Sequence, residues 1–120
     1  MNQRFNSESS RAVLFPGQGS QFVGMAQDLV ESETLARDLF QTAGDLMGCD
    51  LVSLCSKGPQ DALNATDISQ PAIFVSSMAA LAVIENSGGA ALVESRATAG
   101  LSLGEYSALV YSGALTFEDA

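Results

Sequence analysis

Between Arg96 and Leu109 the chain carries the pentapeptide Gly100-Leu101-Ser102-Leu103-Gly104, a serine set between two glycines. A serine at a sharp turn from strand to helix projects its hydroxyl outward. Such a turn brings neighbouring backbone so close that the positions two before and two after tolerate little beyond glycine. This is a nucleophile-elbow pattern, and it demands a strand before it and a helix after it. Ala97-Thr98-Ala99 is a small-residue run suited to a buried strand end, and Glu105 to Ser112 reads as a helix closed by Gly113. Leu103, Tyr106, Ala108, Leu109 and Val110 include the positions of one apolar helical face. That helix would aim its free N–H groups and positive dipole end at Ser102, where charge grows on an attacked carbonyl. The plainer alternative is a surface Gly-Ser-Gly turn.

A second glycine-bearing loop lies near the N-terminus. Ala12-Val13-Leu14-Phe15 reads as a fully buried strand of a parallel sheet, and it opens into Pro16-Gly17-Gln18-Gly19-Ser20-Gln21. Glycines so spaced free backbone N–H groups for an oxygen ligand; an ordinary turn into a helix would also use them. A dinucleotide fingerprint would need glycine where Phe22 stands, and a phosphate-binding P-loop would need Gly-Lys-Ser/Thr. Both readings are disfavoured.

The rest reads as scaffold. Gly24 to Val30 is expected to form a short helix, with Ser32 or Thr34 capping a longer one. Leu35, Ala36, Leu39, Phe40, Ala43, Leu46 and Met47 form a continuous 3.6-period stripe stopped by Gly48. Asp50 to Cys55 begins another helix ended by Lys57-Gly58-Pro59, and Gln60 to Asn64 makes a further turn. The next helix is expected to open at Ile68-Ser69-Gln70-Pro71, with Ser69 as N-cap, Pro71 in the first turn and Ile68 packing on Ile73. It is apolar on nearly every face through Ile84, which implies burial against the sheet carrying Ser102, and Asn86-Ser87-Gly88-Gly89 ends it. Gln70 at such a helix start is either a ligand contact or a cap. Ala90 to Ser95 connects to the elbow strand, and Thr116-Phe117-Glu118-Asp119 announces one more helix just before Ala120.

Charge and composition narrow the partners. Hydrophobic residues make up 47% and charged ones 16%, which suits a packed core, and the net charge of −9 repels a nucleic-acid backbone. Pro71 to Ile84, interrupted by Ser76 and Ser77, falls short of the ~20 residues a membrane span needs. Residues 1–10 read as a disordered polar extension with no secretory h-region, so a cytoplasmic setting is expected. Cys49 and Cys55, with no histidine anywhere, suggest two reduced thiols and no metal site.

Pro16 to Gln21, Ser69-Gln70-Pro71-Ala72 and Gly100 to Leu109, in that order and spacing, resemble the malonyl-CoA:acyl carrier protein transacylases. The resemblance covers Ala12 to Ala120, about the first third or more of a member, so residues 11–120 read as the N-terminal part of an acyltransferase domain. It implies a hydrolase-like α/β core with a parallel sheet and flanking helices, incomplete here, the family's inserted ferredoxin-like subdomain lying beyond the chain end. It implies transfer of malonyl from coenzyme A, through an ester on Ser102, to the phosphopantetheine thiol of acyl carrier protein, in fatty acid or polyketide synthesis. It makes Ser102 the nucleophile, the backbone N–H groups of Gln18 and Leu103 the oxyanion hole, and Gln70 a substrate-binding residue. No cofactor beyond the coenzyme A thioester is called for, and a monomer is expected.

Two departures stand out. Most members have histidine where Leu101 stands; Leu101 is expected to face the sheet side of the elbow, with a modest effect on packing or acyl preference. The family's general-base histidine and its carboxylate-gripping arginine would both fall past Ala120, so the 120 residues are expected to be inactive alone. A serine esterase or thioesterase, and a non-catalytic interaction fragment, are the competing functions.

Overall fold

The computed structural model describes residues 11–89 and 95–120; the expected N-terminal extension and residues 90–94 of the expected connection lie outside them. Strand β1 (Ala12–Phe15) is followed by five helices, α1 (Gln27–Ser32), α2 (Thr34–Met47), α3 (Leu51–Lys57), α4 (Gln60–Leu63) and α5 (Thr66–Ile84). A π-type turn over Glu85–Gly89, broken by Gly88 at φ 82°, ends α5 at the expected place. Strand β2 (Ala97–Gly100) and helix α6 (Gly104–Tyr111) complete the order.

The two strands pair in parallel, with Ala12 opposite Ala97 and Phe15 opposite Gly100. Both therefore end on the same edge, which places the loop after β1 beside the turn after β2. The expected full burial of β1 does not hold. Phe15 is buried, but Leu14 is 73% exposed. Parallel strands are normally covered on both faces, and among the described residues the sheet has only these two strands.

Helix α2 follows the middle of its stripe, burying Ala36, Phe40 and Ala43, while Leu35 and Leu46 near its ends are exposed, and Gly48 closes it in the left-handed conformation, φ 69°. No side chain caps its start; Ser32 instead bonds back to the Asp28 carbonyl, and Thr34 is the first helical residue. Helix α1 begins three residues later than expected because Phe22 to Ala26 form turns, Gly24 donating to the Cys55 carbonyl at 2.8 Å. Asp50 caps α3 through the Ser53 N–H, which also holds its carboxyl below the usual range.

Helix α5 starts at Thr66, earlier than Ser69-Gln70-Pro71 suggested. The Ile68 and Ser69 N–H groups both donate to the Ala65 carbonyl, and Asp67 in the first turn suits the positive end of the helix. Pro71, which lacks an N–H, leaves one intrahelical bond unmade and is accommodated inside the helix. The helical stretch Thr66–Gly89 is long and apolar enough, by length and composition, to cross a membrane. In the fold it is a core helix. It buries Ser69, Ala72, Ile73, Phe74, Val75, Met78 and Ala79, and packs chiefly on α2 and then on α6.

Phe40, Leu51 and Leu63 are fully enclosed in this core, each burial stabilising by about 1.5–3 kcal/mol. Cys55 is buried with them and Cys49 is half-buried, both as free thiols. Burial pushes the Cys55 thiol up to about 11, so it stays protonated at neutral pH.

Candidate functional site

The turn after β2 is built around two glycines that nothing larger could replace. A Cβ on Gly100 would overlap the Gly104 carbonyl group and the Glu105 nitrogen. A Cβ on Gly104 would sit 2.5 Å from the Phe15 carbonyl oxygen and 2.8 Å from that of Pro16. The backbone thus folds tightly on itself while pressing against the end of β1. The Leu101 N–H extends the sheet ladder by donating to the Phe15 carbonyl at 3.2 Å.

Within this turn Ser102 adopts φ 52°, one of two non-glycine residues with positive φ among those described. A left-handed serine is a strained conformation, about 1–3 kcal/mol uphill, that persists only where the surroundings dictate it. Here the register, the two glycines and α6 do so. Ser102 is exposed, and its hydroxyl has no hydrogen-bond partner among the described residues. The order strand, turn, helix expected from the pentapeptide is present.

Helix α6 begins two residues after Ser102, with Leu103 at its N-cap. The N–H groups of Gly104, Glu105 and Tyr106 are taken by the carbonyls of Leu101, Ser102 and Leu103. The Leu103 N–H donates to no described group, and neither does that of Gln18 in the neighbouring loop. The two groups expected to face an oxyanion are therefore both unspent.

The loop Pro16 to Gln21 is held against α4 and α5. Gln21 donates to the Asn64 side chain at 3.2 Å and takes the Gly19 N–H at 2.9 Å, while the Ser20 hydroxyl donates to the Gly17 carbonyl at 2.9 Å. Gln18 reaches furthest. Its amide donates to Thr66 Oγ1 at 3.3 Å and Ser69 Oγ at 3.4 Å, and its carbonyl accepts from Gln70 Nε2 at 3.2 Å. On the other side, a Cβ on Gly17 would strike the Leu101 carbonyl. The loop is wedged between α5 and the Ser102 turn.

Gln18, Gln70, Ser102 and Leu103 are thus gathered at one edge of the sheet. Thr66 and Ser69 belong with them and were not anticipated, Ser69 having been expected as a helix cap. Their signal was the spacing Thr66, Ser69, Gln70, which puts three polar side chains on one helical face. Leu101 does not face the sheet as expected. Its side chain is 74% exposed, while its carbonyl and its Cγ both lie beside Gly17.

A hollow of about 350 Å³ adjoins this edge, lined by Gln70, Pro71, Phe74, Leu103, Tyr106 and Phe117 among others, with Phe74 and Phe117 stacked at 5.3 Å. A larger one, about 550 Å³, lies between α2 and the start of α3 and shares no residue with the Ser102 turn or the Gln18 loop. Size alone would choose the second; the first is the one bordered by Leu103 and Gln70.

Ser107, on α6, is 1% exposed with its hydroxyl unpartnered among the described residues. An unpaired buried hydroxyl costs about 1–3 kcal/mol. Ser107→Ala is accordingly expected to raise the stability by about 1 kcal/mol, read from the denaturant midpoint; a loss of that size would mean the hydroxyl has a partner.

Residues 13–120 match the acyl transferase domain family. The malonyl CoA-acyl carrier protein transacylase of Bacillus subtilis strain 168 is 46% identical over 112 residues, covering 93% of this chain and 34% of the relative. The solved acyl carrier protein S-malonyltransferase of Vibrio cholerae superposes with a TM-score of 0.84 at 43% identity, over 92% of this chain and 35% of that one. A malonyl-transacylase solved in complex with its type II PKS acyl-carrier protein superposes equally well, TM-score 0.84 at 42% identity, over 92% of this chain and 35% of that one. The chain spans about a third of the length of the curated relatives it matches, 30% and 34% for the Drosophila melanogaster and Bacillus subtilis proteins.

Proposed function

This chain belongs to the acyl transferase domain family, and on that premise we propose that it carries the nucleophilic half of a malonyl-CoA:acyl carrier protein transacylase site. Ser102 is the nucleophile of a nucleophile elbow. Its Oγ attacks the thioester carbonyl of malonyl-CoA, the C–S bond breaks, and coenzyme A leaves as the thiol. The serine proton reaches that sulfur through a general base, which cannot be a histidine of these 120 residues, since they contain none. The carrier's pantetheine thiol then attacks the ester, the C–Oγ bond breaks, and the serine regains its proton.

In both halves the carbonyl oxygen gains charge in a tetrahedral intermediate. The unspent N–H groups of Gln18 and Leu103 are its hydrogen-bond donors, reinforced by the positive end of the eight-residue helix α6. Gln70 lines the approach beside the hollow. The observation that supports this reading best is the exposed, left-handed Ser102 locked between Gly100 and Gly104 at the start of α6. The identity to named transacylases supports the choice of malonyl and carrier protein.

The test is a chimaera in which this chain replaces the corresponding third of the Bacillus subtilis relative. Radiolabelled malonyl-CoA is expected to leave a base-labile ester mapped by mass spectrometry to Ser102, and Ser102→Ala is expected to abolish both label and transfer. An unlabelled chimaera, or label that survives in Ser102→Ala, would overturn the reading.

A further inference from the structure

We infer that Ser69 and Thr66, on the first turns of α5, are positioning residues for the oxyanion site, acting through the Gln18 side chain. The inference rests on the proposed role of the Gln18 N–H and adds what aims it. Gln18 stands between Gly17 and Gly19, the latter at φ 105°. Glycine on both sides gives a backbone the widest choice of conformations, so this N–H has no intrinsic direction. A donor contributes to catalysis only if it is fixed before the charge develops.

The side chain of Gln18 supplies the fixing. It spans to α5, where Thr66 and Ser69 each accept from its amide and Gln70 donates to its carbonyl, so both ends of the amide are engaged. The three partners lie at i, i+3 and i+4 on one face of a core helix, a rigid mount. Ser69 is the most deeply buried of the three partners, though its bond is the longest, 3.4 Å. It is 0% exposed, and the bond from Gln18 is the one recorded for its hydroxyl among the described residues. Releasing Gln18 would leave a buried hydroxyl unpaired, which is costly, so the link resists breaking. Gly17, closed against the Leu101 carbonyl, fixes the opposite end of the loop to the Ser102 turn. Gln18 is thus held at two points, α5 and the turn.

Because the donor is a backbone group, the side chain can be removed without removing the donor. Gln18→Leu keeps the N–H and removes all three bonds; Ser69→Ala removes the buried one and leaves those to Thr66 and Gln70. In the chimaera, each is expected to lower kcat for malonyl transfer by about tenfold or more while moving KM by less than about threefold, as loss of transition-state positioning requires. The double variant is expected to lose no more than the worse single one, since both cut the same connection. Thermal unfolding of each variant reports separately on loss of fold. The inference fails if kcat stays within twofold of the parent in Ser69→Ala, if the two losses multiply, or if kcat falls only in proportion to folded protein. Ester formation at Ser102 in the parent chimaera is measured alongside, so failure of the nucleophile and failure of the Gln18 link give different results.

Discussion

Gly100→Ala is expected to destabilise the fold by at least about 3 kcal/mol, the upper part of the range for overpacking a site that cannot relax. The added methyl would overlap the Gly104 carbonyl group and the Glu105 nitrogen, all of them backbone. A flexible side chain could swing away; a helix N-terminus cannot. Gly104 is itself pressed on the Phe15 and Pro16 carbonyls, so moving it means separating α6 from the end of β1. Gly113→Ala provides the contrast. Gly113 has φ 79° but nothing within 4 Å of an added Cβ, so alanine there carries only the left-handed penalty of about 1–2 kcal/mol. Thermal melts should separate the two, with Gly100→Ala lowering Tm by roughly 10 °C or more. Equal shifts would mean that the turn is looser than its close contacts indicate.

These glycines also explain why this region was legible in the sequence. Gly100 is demanded by contacts with Gly104 and Glu105, within five positions of it, and a local requirement leaves a local pattern; the close approach of Gly104 to Phe15 and Pro16 comes from the tertiary fold. The stripe of α2 and the Gly48 stop were legible for the same reason, the helical period being a property of the segment itself. Ser69 was not. As a serine two residues before a proline it has the form of a cap, and only the approach of Gln18, 51 residues away in sequence, turns it into a buried acceptor. The partial exposure of β1 is not legible in its residues, because an apolar run states what a strand can bury, not how many neighbours it has. Leu101 is exposed where packing under the turn was expected, since the glycine spacing specifies the backbone of the turn and not what covers a side chain beside it. Composition likewise marked α5 as buried, but whether sheet or helix covers it is decided by tertiary packing.

The largest effect on activity is expected from the chain by itself: the 120 residues should transfer malonyl at least about a thousandfold more slowly than the chimaera, within the range that general acid–base help supplies. A serine hydroxyl at neutral pH is a poor nucleophile until a base takes its proton, and the sequence holds no histidine. Electrostatics add to the deficit. The net charge of −9 opposes the phosphates of coenzyme A, lowering the encounter rate at low ionic strength. Raising the salt to about 0.5 M should therefore increase any residual acylation of Ser102 by screening that repulsion. In the chimaera the opposite trend is expected for carrier-protein docking, where a cationic patch outside these residues would provide the attraction. A radiometric transfer assay on both proteins, with and without salt, decides the matter. A rate for the chain within tenfold of the chimaera would overturn the prediction. It would require a proton acceptor among these residues, and Glu105, one helical turn beyond Ser102, would be the first carboxylate to replace by glutamine.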